Sequence, residues 1–166
     1  MARVDRVPVP ARAHELAALD RVDYADCFAV AVSTRRSPEA WIRLAAEAMP
    51  TLFSAVRIAH RALGLRLAPA DSPHHVIGWD VVRSDPDEAV LSIAGLLGKP
   101  RIVGFTPPGE VVLATLIEFN GIPGRALWAA AAPVHRAVAR CVLSELAMLT
   151  PGHTDRKQSC PPRSEV

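Results

Sequence analysis

The chain has 166 residues, half of them hydrophobic and 22% charged, which suits one globular domain with its own core and excludes wholesale disorder. Its 19 basic and 17 acidic residues give a net charge of +2, and the arginines are scattered, so bulk electrostatics offers no footprint for nucleic acid. No apolar run reaches the length of a membrane span, and the opening MARVDRVPVPARAHEL lacks the apolar stretch of a signal peptide.

Residues 1–21 read as an extended or irregular segment, with Pro8 and Pro10 opposing helix and Ala13–Leu19 offering a short helical turn. Tyr24–Val32 then alternates, with Phe28, Val30 and Val32 on one face and Cys27, Ala29 and Ala31 on the other. That is a strand with a bulky side and a small side. Ser37-Pro38-Glu39 starts a helix, Ser as the cap and Pro at the first position. Trp41, Leu44, Ala45 and Ala48 stripe it until Pro50 interrupts, and Thr51–Leu65 continues as a second helical piece with Leu52, Val56, Ala59 and Leu63 in register.

After a loop at Pro69–Pro73 the period switches to two. His75–Arg83, Glu88–Leu97, Arg101–Phe105 and Glu110–Phe119 read as strands, joined by turns at 84–87, 98–100 and 106–109. The connections are too short for crossover helices, so the strands form an antiparallel meander. On the last strand Val111, Leu113, Thr115, Ile117 and Phe119 share an apolar face, which puts Glu118 on the outer side. Pro123–Leu149 reads as one long helix, kinked or divided at Pro133. A wheel places Leu127, Ala131, Val134, Val138, Cys141, Val142, Glu145 and Leu149 toward the core and Arg136, Arg140 and Ser144 toward water. Residues 150–166 hold Pro, Gly, Ser, Thr and charge without pattern and read as a disordered tail.

The order is strand, helix pair, four-strand meander, long helix: an α+β domain in which a curved antiparallel sheet grips a C-terminal helix, spanning residues 22–149. A space between sheet and helix would be a cavity for a mainly apolar molecule. This order resembles the START-like, helix-grip (SRPBCC) superfamily of polyketide cyclases, lipid-transfer domains and plant hormone-binding proteins. More closely, Ile77-Gly78-Trp79-Asp80-Val81-Val82, the run Ser84-Asp85-Pro86-Asp87-Glu88, and Ala126-Leu127-Trp128 leading into Ala132-Pro133-Val134-His135-Arg136 are similar to a group of uncharacterised bacterial START-like proteins. Many relatives carry a longer, more charged strand where this chain has Arg101–Thr106. The resemblance implies a cavity under the long helix and no particular reaction, since members range from passive carriers to cyclases.

The candidate ligand-contacting residues are Phe28, Val30, Trp79, Arg101, Leu113, Ile117, Trp128, Val134, His135, Val138, Val142 and Glu145. His135 borders the apolar face of the helix. It either meets a ligand and moves a proton near neutral pH, or is a half-buried histidine bonded to a backbone carbonyl or to a strand side chain. Glu145 lies on the predicted core stripe and either pairs with an arginine at the cavity mouth or is solvated at a frayed helix end. Arg101, after Lys99, either steers an anionic group or protects a strand edge. Trp41, Trp79, Trp128 and Phe105 divide between cavity wall and plain core.

Cys27 and Cys141 lie in apolar segments and Cys160 in the tail. The odd count without metal-like spacing argues for a reducing, cytoplasmic setting. Adjacent His74 and His75 point to opposite faces of a strand and do not chelate one metal. No G-x-G-x-x-G, P-loop or G-x-S-x-G is present, so no cofactor is expected. Three functions fit: binding of a small apolar or amphipathic molecule; a cyclase, aromatase or isomerase using His135; and a protein-interaction or homodimerisation domain that approaches a partner through Ala129–Ala132, with a vestigial cavity.

Overall fold

The computed structural model describes residues 2–69, 72 and 74–150. Seven antiparallel strands form one curved open sheet: β1 (Val4–Arg6), β2 (Tyr24–Ala31), β3 (His75–Val76), β4 (Trp79–Ser84), β5 (Glu88–Ser92), β6 (Gly98–Phe105) and β7 (Glu110–Phe119). Their spatial order is β1-β2-β7-β6-β5-β4-β3, so the first long strand lies against the last and the meander follows outward from it. Helices α2 (Pro38–Ala48), α3 (Pro50–Ala62) and α4 (Gly121–Met148) cover one face. Helix α1 (Ala11–Ala17) covers the other.

Local chemistry accounts for most of these boundaries. Ser37 Oγ accepts from the Ala40 amide at 3.3 Å, and Pro38 sits in the first helical turn, where its missing amide hydrogen costs nothing. Pro50 opens α3 in the same way. The alternation on β7 places Leu113, Thr115 and Ile117 inward, and their partners across the register on β2, Phe28 and Tyr24, face the same way. The small side of β2, with Cys27 opposite Ala114, packs under Ala13 and Ala17 of α1.

Several sequence expectations are corrected. The N-terminal segment, expected to lie outside the domain, belongs to it: the extended stretch includes an edge strand at Val4–Arg6, the helical turn expected at Ala13–Leu19 is a helix over Ala11–Ala17 that covers the outer face, and Ser144 reaches back to the Ala2 carbonyl at 3.3 Å. The first meander strand is two strands folded on each other, with His75 opposite Asp80 and Val76 opposite Trp79. The hairpin turn is Ile77-Gly78, both at positive φ, +51° and +88°. Val82 is displaced by a bulge between Val81 and Arg83, which bends β4.

The turn expected at 98–100 is strand. Gly98, Lys99 and Pro100 pair with Phe119, Glu118 and Ile117. Pro100 is tolerated because its nitrogen side faces β5 where that strand has already ended. There its carbonyl accepts from the Ile93 amide at 3.3 Å.

Helix α4 is continuous through Pro133, and its rotation differs from the wheel by about one residue. Gly124, Trp128, Ala132, Val142, Leu143, Ser144, Leu146 and Ala147 are buried, whereas Leu127, Val134 and Cys141 are exposed. Gly124 sets the rotation: a Cβ there would stand 2.3 Å from the Leu97 carbonyl oxygen, so only glycine allows this close approach. Asp23 fixes the start of the helix by accepting from the Phe119 amide and from Arg125, both at 2.9 Å. Among the described residues no helix is long and apolar enough to cross a membrane. The expected tail at 151–166, with Cys160, and part of the expected loop at 69–73 lie outside the described residues.

Candidate ligand cavity

A cavity lies between the inner face of the sheet and helices α2, α3 and α4. The space open to the centre of a water molecule is about 120 Å³, well above the roughly 10–15 Å³ that a single water needs. Phe28, Leu113 and Ile117 come from the central strands, Trp79, Pro100 and Ile102 from the meander, Phe53, Val56 and His60 from α3, and Trp128, His135, Val138 and Val142 from α4. The wall is almost wholly apolar. Its ring and hydroxyl polar atoms come from His60, His135, Thr115 and the two indoles.

Of the candidate residues, Phe28, Trp79, Leu113, Ile117, Trp128, His135, Val138 and Val142 meet at this cavity. Four do not. Val30 is buried in the neighbouring cluster with Trp41, Phe53 and Leu143. Val134 is 65% exposed, because the rotation set by Gly124 turns it outward. Glu145 is half-buried outside the lining for the same reason. Arg101 alternates with the inward Pro100 and Ile102, so it lies on the opposite face. It donates to the carbonyls of Pro100 and Ile93 at 3.0 and 3.3 Å, and burial lowers its pKa. Glu118 also lies on that outer face but is buried, held by Lys99 at 3.0 Å and the Asp20 amide at 3.1 Å. Trp41 is fully buried core and Phe105 packs on the α1 side, so two of the four large aromatics reach the cavity.

No protein-family model matches this chain, and neither a curated protein nor a solved structure does. The chemistry is therefore read from the residues alone.

The principal polar feature is a buried chain of groups beside the cavity. Asp26 is on the inner face of β2, two residues before Phe28, with its side chain fully enclosed. Tyr24 donates to Asp26 Oδ2 at 2.5 Å, and His135 Nε2 lies 3.5 Å from Asp26 Oδ1, within ion-pair reach but too poorly aligned for a hydrogen bond. The His135 ring packs on Trp128 at 5.0 Å, and Trp128 meets Tyr24 edge to face at 5.1 Å. Burial pushes the Asp26 carboxyl up, but the His135 ring and the Tyr24 hydroxyl outweigh this and hold it below the usual carboxylate range. Burial and the bond to Asp26 raise Tyr24 to about 12, so it remains a donor.

Asp26 Oδ1, His135 Nε2 and Trp128 Nε1 are all buried and have no hydrogen-bond partner among the described residues. Three such atoms in one place give the apolar cavity a polar end. A second histidine, His60, lies on another wall. It accepts weakly from Trp79 Nε1 at 3.4 Å, and burial, with a smaller contribution from His135, lowers its pKa to about 4. It is neutral at physiological pH and offers hydrogen bonds without charge. The Cys27 thiol is raised to about 11 by burial and carries no nucleophilic role. Among the described residues no cluster of His, Cys, Asp or Glu is arranged to hold a metal ion. His75 is bound to Asp80 and Ser72 instead, each at 2.5 Å.

Asp26 and His60 escaped the sequence reading, although both had a signal. Asp26 shares the even-numbered face of β2 with Phe28 and Val30. His60 is four residues beyond Val56 on the inner stripe of α3.

Proposed function

We propose that this chain binds a small, mainly apolar molecule in the cavity beneath α4, with the ligand's polar end against His135 and Trp128, behind which Asp26 stands. The observation that carries the reading is the lining. The sheet and the three helices on its inner face all contribute apolar side chains to one space, and two buried polar atoms without a hydrogen-bond partner, His135 Nε2 and Trp128 Nε1, belong to its wall. Asp26 Oδ1 and His135 Nε2 meet only at 3.5 Å and Trp128 Nε1 has no partner among the described residues, and an unmet buried polar atom costs about 1–3 kcal/mol that an occupant's polar group would offset. The START-like resemblance points the same way. Native mass spectrometry of the purified protein, followed by denaturing extraction, is expected to release a small organic molecule of defined mass. An empty protein from every host, together with no thermal shift from any apolar compound of fitting size, would remove the proposal.

A second reading has its own support in the Tyr24–Asp26–His135 chain. A carboxylate beside Nε2 favours the tautomer with its proton on that nitrogen, leaving Nδ1 basic. In a cyclase or isomerase acting on the same ligand, His135 would move the proton and Asp26 would be a positioning residue. Once a substrate is known, His135→Gln should abolish turnover while retaining binding. Asp26→Asn should lower kcat and move the acidic limb of its pH profile while leaving KM nearly unchanged. Unaltered turnover in both variants would leave the carrier reading alone.

A further inference from the structure

Outside the cavity, α2, α3 and the β3–β4 hairpin enclose a second, polar groove that holds Arg43, Glu47, Arg57 and His75. Phe53 and Ile77 line both spaces and form the partition between them. Ile77 is β-branched and held at φ +51°, a backbone conformation such residues avoid unless the surroundings impose it. The His75–Asp80 contact and the Val76–Trp79 pair impose it here, and the result is an isoleucine wall between cavity and groove.

The two spaces differ in charge. Behind the cavity wall stands the buried Asp26 carboxylate, which repels an anion. The groove holds the guanidiniums of Arg43 and Arg57 and the His75 imidazole, with Glu47 in its lining, Glu39 on Arg43 and Asp80 on His75. Arg43 is engaged by Glu39 at 2.7 Å and by the His75 carbonyl at 3.2 Å. Arg57 is half-buried and makes no ion pair or hydrogen bond among the described residues.

We infer that the groove seats the anionic head of an amphipathic ligand whose apolar body fills the cavity, with Arg57 as the head's partner and Phe53 and Ile77 parting to admit it. The inference rests on the ligand-binding reading above and narrows it to acids, a carboxylate being the simplest head that Arg57 would hold. The charged head then lies on the α3 side, away from Asp26, and the polar end of the cavity at His135 and Trp128 is left to a second, uncharged polar group of the ligand.

The test pairs hexanoate, octanoate and decanoate with the alcohols of the same length, above neutral pH. Binding is followed by the fluorescence of Trp79 and Trp128, which line the cavity and report the apolar body whatever its head. The acids are expected to bind about tenfold more tightly than the alcohols, the value of one modest ion pair. Arg57→Gln should abolish that preference without shifting the melting temperature, and Arg61→Gln, exposed on the same helix, should leave it intact. Equal binding of acids and alcohols, or a preference that survives Arg57→Gln, would overturn the head site while leaving the cavity reading in place. No fluorescence response to either series would overturn both.

Discussion

His60 shows how one side chain ties the cavity to stability. Its folded pKa of about 4 lies below the unfolded value near 6.5, so the unfolded chain takes up a proton that the folded one refuses. Above pH 6.5 the residue is neutral in both states and its contribution is intact. As pH falls from 6.5 toward 4 stability is lost, by about 3 kcal/mol in all. Below pH 4 this residue adds no further slope. Asp26, Glu39 and Glu118, all lowered, lose their contributions only as the carboxylates protonate, so the upper half of the window belongs to His60. Thermal melts at pH 7 and pH 5 should differ strongly in the wild type and much less in His60→Gln, which keeps an acceptor for Trp79. An equal pH dependence in the two proteins would mean that His60 is hydrated rather than sealed in.

At this scale the sequence was least legible where burial contradicts residue type. An aspartate in the middle of a strand is ordinarily read as a boundary or a solvated position. The hydroxyl of Tyr24, two residues before it, and the long-range meeting with His135, on a helix more than a hundred residues later, make its burial tolerable.

Among the elements, α4 is the most instructive. Its existence and extent follow from composition and flanking breakers, but its rotation does not. Leu127 and Val134 dominate any hydrophobicity-weighted wheel, and both face out, while the inner face is built from Gly124, Ala132 and Ala139, with Trp128 and His135 between them. Small residues let the helix sit close to the sheet, and closeness, not side-chain hydrophobicity, decides which way it turns. Gly124→Ala tests this. Helix propensity alone would make the change favourable by about 1 kcal/mol. The clash with the Leu97 carbonyl should instead destabilise the domain by about 2 kcal/mol or more, read as a lower midpoint in urea. A gain in stability would show that the approach of α4 to the 93–97 loop is not fixed by Gly124. Strand β6 teaches the same lesson: Gly98-Lys99-Pro100 has turn chemistry, yet the neighbouring β7 captures it, because the missing amide of Pro100 falls where no partner waits.

For the molecule as a whole, the α+β class, the helix pair and the meander were legible because period-two runs and short connections leave few other arrangements. Helix α1 was legible only as a short helical turn, since Arg- and Pro-rich flanks hide its task, which is to cover Cys27, Val103, Ala114 and Leu116 with Ala13, Leu16 and Ala17. The central strands are thus buried on both faces. This explains why β7 reads as an almost unbroken apolar run rather than a clean alternation. The cavity is a gap in an otherwise doubly covered sheet, and an occupant should raise the melting temperature by an amount that grows with the logarithm of its affinity.

The pairing of Tyr24 with Ile117 joins strands separated by most of the domain. During synthesis β2 emerges early with its inner edge bare, and it cannot complete its ladder until β7 has followed the whole meander out of the ribosome. Asp26 waits longer still, for His135. Local hairpins form first, and the central closure, with its large loop entropy, sets the pace of folding. Until that closure the chain exposes the apolar inner edge of β2 to any other strand it meets, so the interval before β7 arrives is when this protein is most open to misassembly.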